Sequence, residues 1–430
     1  MRRTGRLRKL LGWVGNALVL GWIVVACTML LVRHVALPAV GQFRGEIAAA
    51  ASQAIGLPVR IGTIDGDWAG WRPRLILQQV SVADGEDRPA LQLPRVDATL
   101  AWSSLLRLQA HFHRLEITAP ELALRRDLDG RLFVAGLPVA VDGSADGGAL
   151  HWLLEQRQIV IHDATLRWDD RLRGAPELVL DKVELRLDQR LGLHRFALRA
   201  QPPQALASTL DVRGELRHLD LAAPLASSGR LYVALERADL GGWRPWLDYP
   251  RPLQGVGGVR AWRESTAESR FDLARGLDFG RAPARGWGFS ADVALERVRT
   301  QLDEGLPELA LERLAGRLSV ERDTQGLHVQ TRGLTLRMSD GLALLPTTLD
   351  LQLGDIGGEG HDSRFSVNQL DVEALARLAV FLPLDQAISA QLSAFAPKGR
   401  LQALSLRWRG ALAAPQAWAV SARFAGLGLE

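Results

Sequence analysis

Residues 61–82 read IGTIDGDWAGWRPRLILQQVSV, a stretch that joins a glycine-rich turn to an alternating run. Its first half contains Trp68 and Trp71 together with three glycines. Its second half places apolar residues at every second position, beginning with Leu75 and Leu77. Because side chains alternate between the two faces of a β-strand, this run predicts a strand with one apolar face. The glycines permit the sharp turn that must precede it.

Period-two alternation continues through most of the chain. Each run is short, and Gly, Asp and Pro separate one run from the next, which is typical of antiparallel strands with one solvated face. The clearest runs place apolar residues at Leu91 and Leu93; Val96, Ala98, Leu100 and Trp102; Leu178 and Leu180; Val183, Leu185 and Leu187; Phe289, Ala291, Val293 and Leu295; Leu334, Leu336 and Met338; and Leu349, Leu351 and Leu353. The sequence therefore predicts a mainly β protein.

A loose repeat supports this prediction. The pattern Pro-x-Leu-x-Leu-x-x-(Val or Leu) occurs at residues 73–80, 89–96, 176–183 and 307–314. A proline is tolerated where a strand begins, and the two leucines would share one face of that strand. The spacing between copies is irregular, so the pattern indicates a reused strand unit and not a strict solenoid.

The number of strands limits the architecture. Roughly 370 residues follow the N-terminal segment, enough for on the order of 25 to 30 strands with their turns. Three arrangements could hold them: a stack of sandwich domains, a membrane barrel, or a long curled antiparallel sheet that forms an elongated apolar trough. Sandwich stacks should show regular domain-length units, which we do not find, and a barrel should show aromatic girdles, whereas the chain has two tyrosines. We therefore expect the trough, with a few short helices.

The N-terminal segment predicts a membrane anchor. Residues 10–32 contain no charged residue, and a helix of this length spans about 34 Å, enough for a hydrocarbon core of roughly 30 Å. Five basic residues precede it, so the N-terminus should stay in the cytoplasm and the rest of the chain should be exported. A cleaved signal peptide, a lipoprotein processed at Cys27 and a twin-arginine leader at Arg2–Arg3 are alternative interpretations; the long apolar core favours the anchor.

Composition narrows the classes of partner. The formal net charge of +4 is explained by the basic leader, and no basic patch with interleaved aromatic residues appears, so we expect no nucleic-acid partner. Cys27 is the only cysteine and lies in the apolar segment, which leaves the exported part without a disulfide or a thiolate zinc site.

We divide the chain into five segments. They are a cytoplasmic leader at residues 1–9, a transmembrane helix at 10–32, an N-terminal cap region at 33–150, a strand-rich groove at 151–370, and a helical insert with further strands at 371–430. Short helices are predicted at residues 40–56, 148–157 and 371–395, the last with Asp371 as its N-cap, and a loop is predicted at 139–148. The chain stops after a strand without a closing cap, which we interpret as a truncated end.

Residues that could carry catalysis are sparse. His111 and His113 would lie on one strand face, as a metal pair does, but no third ligand accompanies them. Asp65–Gly66–Asp67 lacks the distal glutamate of a calcium loop, and His162 stands beside a single aspartate. The chain has no Gly-x-Ser-x-Gly elbow, no phosphate-binding loop and no His-Glu-x-x-His motif. We expect no catalytic residue, no metal and no cofactor.

The opening stretch also resembles a known family. Its pattern Ile61-x-x-Ile64-x-Gly66-x-Trp68-x-Gly70-x-x-Pro73-x-Leu75-x-Leu77-x-x-Val80-x-Val82 is similar to the N-terminal signature of the AsmA-like superfamily, in particular its large YhdP-type members. Further similarities are the basic leader with one anchor, Leu115-x-Ile117-x-x-Pro120-x-Leu122 before Asp129–Gly130, and Pro397–Lys398–Gly399 before Leu404-x-Leu406-x-Trp408. YhdP-type proteins are much longer, so the resemblance also favours an N-terminal fragment.

The resemblance implies a function in lipid transport. It implies an inner-membrane-anchored periplasmic protein that moves phospholipids between the inner and outer membranes, with the outer membrane and envelope proteins as further partners. A structural scaffold or assembly factor for the envelope, which carries no lipid, is the alternative; an envelope hydrolase that uses His111, His113 and His162 is a third. The residues expected to line the groove are Leu75, Leu77, Val80, Val82, Leu91, Leu93, Leu178, Leu180, Val183, Leu185, Leu309 and Leu311. Those expected to form a lid at the membrane-proximal mouth are Gly66, Trp68, Gly70, Trp71 and Pro73.

Overall fold

The computed structural model describes most of the chain. The described residues are 3–83, 89–102, 112–138, 156–217, 228–247, 249, 251–265, 287–323, 326–354, 362–382, 398–410 and 415–428. The predicted helix at 148–157 and the predicted loop at 139–148 therefore lie largely or wholly outside the described residues.

The N-terminal helix fulfils the length requirement for a membrane span. Helix α1 covers Arg3–Leu31 and continues into a π-helical turn at Val32–Ala36. Within it, Gly15–Val35 has a mean hydropathy of 2.1 and none of the most apolar stretch is buried inside the protein. Twenty-one helical residues extend for about 32 Å, so this helix is long and apolar enough to cross a bilayer.

Two further helices agree with the sequence patterns. A 3-10 turn at Val40–Phe43 leads into α2, Arg44–Ile55, which ends at Gly56 with a left-handed φ of 79°. Helix α3 covers Val372–Ala379, and the Asp371 carboxylate caps it by accepting a hydrogen bond from the Ala374 amide at 3.0 Å. The predicted helix at 371–395 is thus confirmed at its start, while residues 383–397 lie outside the described part.

Strands make up most of the rest. Their bounds are β1 Val59–Arg60, β2 Thr63–Ala69, β3 Arg72–Ala83, β4 Pro89–Leu100, β5 Phe112–Thr118, β6 Glu121–Arg126, β7 Leu132–Val134, β8 Leu137–Pro138, β9 Gln158–Asp170, β10 Leu178–Arg190, β11 Leu193–Gln201, β12 Thr209–Arg217, β13 Ser228–Asp239, β14 Leu253–Ser265, β15 Trp287–Thr300, β16 Leu309–Asp323, β17 Gly326–Met338, β18 Ala343–Gly354, β19 Asp362–Asp371, β20 Lys398–Arg409 and β21 Ala417–Gly428. Many have 12 to 15 residues. The mainly β class with one apolar N-terminal helix and few other helices is confirmed.

The chain forms two compact units. Unit 1 comprises Met1–Leu122 and Phe133–Ala164, and unit 2 comprises Ala123–Leu132 and Thr165–Glu430. In unit 1, β1 and β2 pair with one edge of β3, β4 pairs with the other edge, and β5 follows β4. β5 then pairs in parallel with β9, which sets Leu115 beside Ile159 and Ile117 beside Ile161. All four of these side chains are buried, so the core of unit 1 lies on this face.

Unit 2 is built as a long meander. From β10 to β21 every strand pairs antiparallel with the next one along the chain. Near its start, the buried Asp170 carboxylate accepts a bidentate pair of hydrogen bonds from the Arg126 guanidinium, with 2.8 Å between Arg126 Nε and Asp170 Oδ1. This pair joins two segments that are 44 residues apart in sequence.

The repeated Pro-x-Leu-x-Leu-x-x-Val pattern forms a strand with a bulge. The second of its two spacer residues adopts a left-handed backbone in β3 and in β10, where Gln79 has φ 53° and Lys182 has φ 48°. Between Asp181 and Glu184 the ladder advances three residues on β10 and two on β11, so β10 carries one extra residue. Such an extra residue defines a β-bulge.

The bulge decides which way the side chains point. In a regular strand, Leu180 and Val183 would face opposite sides because they are three positions, an odd number, apart in sequence. With one extra residue between them, Val183 returns to the face of Leu178 and Leu180, and all three are buried while Asp181 and Lys182 are exposed. The spacing in the repeat therefore keeps both halves of the strand on one apolar face.

Candidate functional site

An apolar face runs across the strands of unit 2. Residues that pair across neighbouring strands lie on the same side of a sheet, so the strand register defines rows of side chains. The first row, called row A, crosses eleven consecutive strands. Its members are Leu185, Leu198, Val212, Val233, Ala261, Ala291, Leu318, Thr331, Leu349, Val367 and Leu404.

A second row lies two residues further along each strand, on the same face. This row, called row B, crosses twelve strands. Its members are Leu187, Phe196, Gly214, Leu231, Arg263, Phe289, Val320, Val329, Leu351, Phe365, Leu406 and Val420. Eleven strand spacings of about 4.8 Å carry row B over about 50 Å, measured along the row. Rows A and B define the apolar face.

The apolar face keeps contact with solvent. Most members of the two rows are half-buried, and some are more open: Phe289 retains 37% of its exposure and Leu318 retains 39%. If these apolar side chains were fully buried, they would form a closed core. Because they are half-exposed, they leave apolar surface in contact with solvent, where a ligand could bind. The described rows therefore form a partly open, predominantly apolar surface, which Thr331 and Arg263 interrupt.

One end of the strands is packed more tightly. Beyond row A, Leu295 and Val298 of β15 are buried. The nearby connecting segments supply buried side chains of their own, among them Trp243, whose indole Nε1 donates to the Leu206 carbonyl at 3.1 Å. The open part of the apolar face is thus the part that carries rows A and B.

The opposite face of unit 2 is polar. Residues whose positions have the other parity point to this face. Those next to row B form a mostly charged row, in which the charge alternates in sign from Asp188 to Glu264. Its members are Asp188, Arg195, Glu215, Arg230, Glu264, Gly288, Glu321 and His328. Arg195 Nε lies 2.9 Å from Glu215 Oε2, and Arg230 Nε lies 3.1 Å from Glu264 Oε1. Cross-strand ion pairs of this kind suit a solvated face.

A cleft of about 570 Å³ opens on this polar face. The side chains of Tyr232 and Trp262 line it, with ring centroids 5.5 Å apart. The guanidinium carbon of Arg317 lies 5.2 Å from the Trp262 ring centroid. Most residues that line the cleft have the parity of the polar face. Four members of row B also line it: Phe196, Gly214, Leu231 and Arg263.

The predicted groove residues occupy two places. In unit 1, β3 carries Leu75, Leu77, Val80 and Val82 with three of the four buried, and the half-buried Leu93 and Leu91 pair with Val80 and Val82. In unit 2, Leu185 belongs to row A, while Leu178, Leu180, Val183, Leu309 and Leu311 are buried further along their strands. Their role in lining a lipid groove stays a prediction.

Sequence reasoning missed the middle of the apolar face. Row members such as Leu198, Val233 and Phe289 were not among the expected groove residues, nor was Arg263. The signal was present in the alternation itself, because Val259, Ala261 and Arg263 occupy every second position of β14. The cross-strand register was needed to show that they continue the rows of the neighbouring strands.

The predicted lid residues form one hairpin of unit 1. Gly66 pairs with Leu75 and Trp68 with Pro73, and Gly70 at the tip has φ 62°. Pro73 is fully buried, whereas Trp71 retains 78% of its exposure. The ring of Trp68 lies 6.3 Å from that of Trp102, whose indole donates to the Trp71 carbonyl at 3.0 Å. The signature residues are therefore together in space, and their action as a lid stays a prediction.

The histidines considered for catalysis are dispersed. His113 lies in β5 and His162 in β9, and His111 is outside the described residues. Across the described part of the chain, no group of three or more His, Cys, Asp or Glu side chains is arranged to hold a metal ion.

Comparison with known proteins identifies the family. A family model described as YhdP protein matches residues 1–430, which confirms the resemblance seen in the signature. No curated protein and no solved structure matches the chain. With the match extending over every residue of the sequence, the chain belongs to the YhdP protein family.

Proposed function

We propose that this protein is anchored in the inner membrane and moves phospholipids between the inner and outer membranes. The observation that carries the proposal is the apolar face of unit 2, where rows A and B cross consecutive strands and remain partly open to solvent. An apolar surface of this extent marks a binding surface in most soluble domains. In this proposal the acyl chains of a phospholipid lie along the rows, and the sheet forms the wall of a trough.

Transfer through water explains why such a surface would be useful. Exposing acyl chains costs about 0.8 kcal/mol per methylene, so two chains of about sixteen carbons face a barrier on the order of 25 kcal/mol. Continuous apolar contact along the rows would remove most of this barrier. The contact would be spread over many Leu, Val, Ile and Phe side chains, so no single one should be essential.

The proposed location rests on helix α1. Arg3, Arg6, Arg8 and Lys9 precede its apolar stretch, and such a positive excess keeps the N-terminal side of a membrane helix in the cytoplasm. The remaining chain would then lie in the periplasm. A protease-protection assay on intact and permeabilised spheroplasts should degrade the bulk of the chain from the periplasmic side only.

A scaffold without lipid is the second candidate. The polar face favours it, because the cleft beside Tyr232 and Trp262 offers aromatic surface to a protein partner. In that case the apolar face would serve only as a core. A hydrolase would need His111, His113 or His162, and alanine at all three positions should leave a transport function intact.

Mass spectrometry of lipids bound to the detergent-extracted chain separates these candidates. We expect phospholipid to remain with the protein through purification in a detergent that solubilises free lipid. A matched preparation of α1 alone, residues 1–36, controls for lipid held by the anchor. Equal lipid per molecule in both samples would argue against transport and for the scaffold.

A further inference from the structure

Arg263 stands out on the apolar face. It belongs to row B, between Leu231 of β13 and Phe289 of β15, and it shares its strand face with Ala261. Among the described members of row B, it is the one charged side chain. An arginine within an apolar row reduces the contact available to acyl chains, so its position calls for a different explanation.

The side chain is partly removed from water. Arg263 is half-buried, and this burial lowers the pKa of its guanidinium. The guanidinium nevertheless stays protonated at physiological pH, because the ordinary pKa of arginine lies far above that pH. The apolar face therefore carries a permanent positive charge at this position.

A second basic side chain follows on the same face. Arg322 of β16 pairs with Trp287 of β15. Trp287 is two residues from Phe289, so it lies on the same face of the sheet. Two strand spacings and one step along the strand separate the Cα atoms of Arg263 and Arg322 by about 12 Å. Two long arginine side chains at that separation can approach one anion from both sides.

Both arginines lie close to strand ends. Arg263 is two residues before the end of β14 at Ser265, and Arg322 is one residue before the end of β16 at Asp323. Along each strand, row B lies near this end, and row A lies next to it on the side of the tightly packed end. The apolar face is therefore apolar across most of its width and carries two positive charges, Arg263 and Arg322, near this margin.

We propose that Arg263, with Arg322 as a second cation, binds the phosphate of a phospholipid whose acyl chains lie on rows A and B. This inference rests on the proposed function and adds the chemical class of headgroup that the surface selects. Guanidinium groups bind phosphate through paired, charge-assisted hydrogen bonds, which suits a phosphodiester at the boundary between apolar surface and water. A neutral diacylglycerol would use the same rows without this contact.

The test compares two lipids with identical chains. Full-length detergent-solubilised protein is incubated with dioleoyl phosphatidylglycerol or with dioleoylglycerol, and bound lipid is quantified by mass spectrometry. Arg263→Leu should lower phosphatidylglycerol binding about tenfold, the change expected for loss of one charge-assisted hydrogen-bond pair, and should leave dioleoylglycerol binding unchanged or higher. Arg263→Lys should bind an intermediate amount of phosphatidylglycerol, because lysine keeps the positive charge but cannot form the paired hydrogen bonds.

The matched control is Arg260→Leu. Arg260 lies on the same strand with the opposite parity, beside Asp292, so its loss changes the net charge equally without touching the apolar face. It should bind both lipids like the wild type. Inorganic phosphate at millimolar concentration should not displace phosphatidylglycerol; displacement would reveal a site for free phosphate and overturn the inference.

The remaining outcomes separate the two proposals. If the wild type binds both lipids and Arg263→Leu binds phosphatidylglycerol equally well, the headgroup inference fails while the transport proposal stands. If the wild type binds neither lipid, the transport proposal fails and the inference fails with it. Because Arg263→Leu replaces a half-buried cation with an apolar side chain in an apolar row, we expect this variant to fold.

Discussion

The backbone of Leu37 lies where a side chain on Gly66 would be. An ideal Cβ built on Gly66 would be 2.6 Å from the Leu37 carbonyl oxygen and 2.8 Å from the Leu37 Cβ. Leu37 is buried and follows directly after the π-helical turn that ends the apolar helix. The signature glycine therefore allows the segment that leaves the anchor to pack against the first long hairpin of unit 1.

Gly66→Ala should destabilise unit 1. The added methyl group would meet the backbone of Leu37, which cannot rotate away, so relief needs a shift of the whole segment and should cost about 1–3 kcal/mol. Thermal unfolding in detergent, followed by near-ultraviolet circular dichroism of the clustered tryptophans, would report the change. Gly45→Ala is the control, because its Cβ meets no atom within 4 Å and alanine favours the helix it occupies. An unchanged transition for Gly66→Ala would contradict the close packing.

Asp170→Asn should weaken unit 2. The Asp170 side chain is almost completely buried and accepts two hydrogen bonds from Arg126, so the asparagine leaves the half-buried Arg126 guanidinium without its counter-charge. Breaking a buried pair in this way costs about 3–5 kcal/mol. Chemical denaturation would measure the loss. Glu264→Gln, which breaks the exposed pair with Arg230, should stay within about 1 kcal/mol of the wild type.

Deletion of Lys182 should be tolerated. Removing this residue removes the extra position of the bulge and leaves Leu180 and Val183 on one face of a regular strand. Deletion of Glu184 is the comparison, because it forces either Leu185 onto the polar face or Lys182 onto the apolar face. We expect a cooperative unfolding transition for the first variant and a large loss of stability for the second. An equal loss of stability in both deletion variants would contradict the conclusion that the bulge decides which face the side chains take.

Leu318→Glu should reduce phospholipid binding without unfolding the protein. Leu318 belongs to row A and is already 39% exposed, so a carboxylate there remains hydrated while it interrupts the apolar surface. Bound phospholipid, measured by mass spectrometry, should fall at least tenfold. Leu178 and Leu180 are less suitable positions, because both are buried and a charge there would test folding.

The neighbouring position provides the control for this substitution. Ser319 follows Leu318 in β16 and faces the other side, where its hydroxyl contacts that of Ser290 at 3.0 Å. Ser319→Glu adds the same charge and should leave lipid binding at the wild-type level. Parallel losses in both variants would show that the effect arises from charge on the strand and not from the apolar face.

Acidification should destabilise unit 2 through His194. Burial lowers the pKa of this imidazole in the folded protein below its ordinary value of 6.5. As pH falls below about 6.5, the unfolded chain therefore binds a proton that the folded chain resists, and stability decreases; above that pH the contribution of His194 is constant. His194→Gln should flatten the pH dependence of the melting temperature between pH 7 and pH 5. The same slope in both proteins would contradict this assignment.

Local sequence decided the class of structure. The alternation in runs such as Leu349, Leu351 and Leu353 predicts strands because the two-residue period of a strand is a property of the backbone itself. The uncharged run of residues 10–32 predicts a long exposed helix for a similar reason, since its length and composition are read directly from the chain. Asp371 as an N-cap was predictable because capping involves residues only three positions apart.

The tertiary structure decided which side chains share a surface. Row B joins Leu187 to Val420 through eleven pairings, and each pairing depends on hydrogen bonds between strands that the sequence does not specify locally. The same is true of Arg263, whose place among apolar neighbours is set by β13 and β15. Gly66 is a further example, because the need for glycine there arises from Leu37, which lies 29 residues earlier in the chain. Periodicity thus fixed the faces of single strands, while register, bulges and close packing assembled those faces into a site.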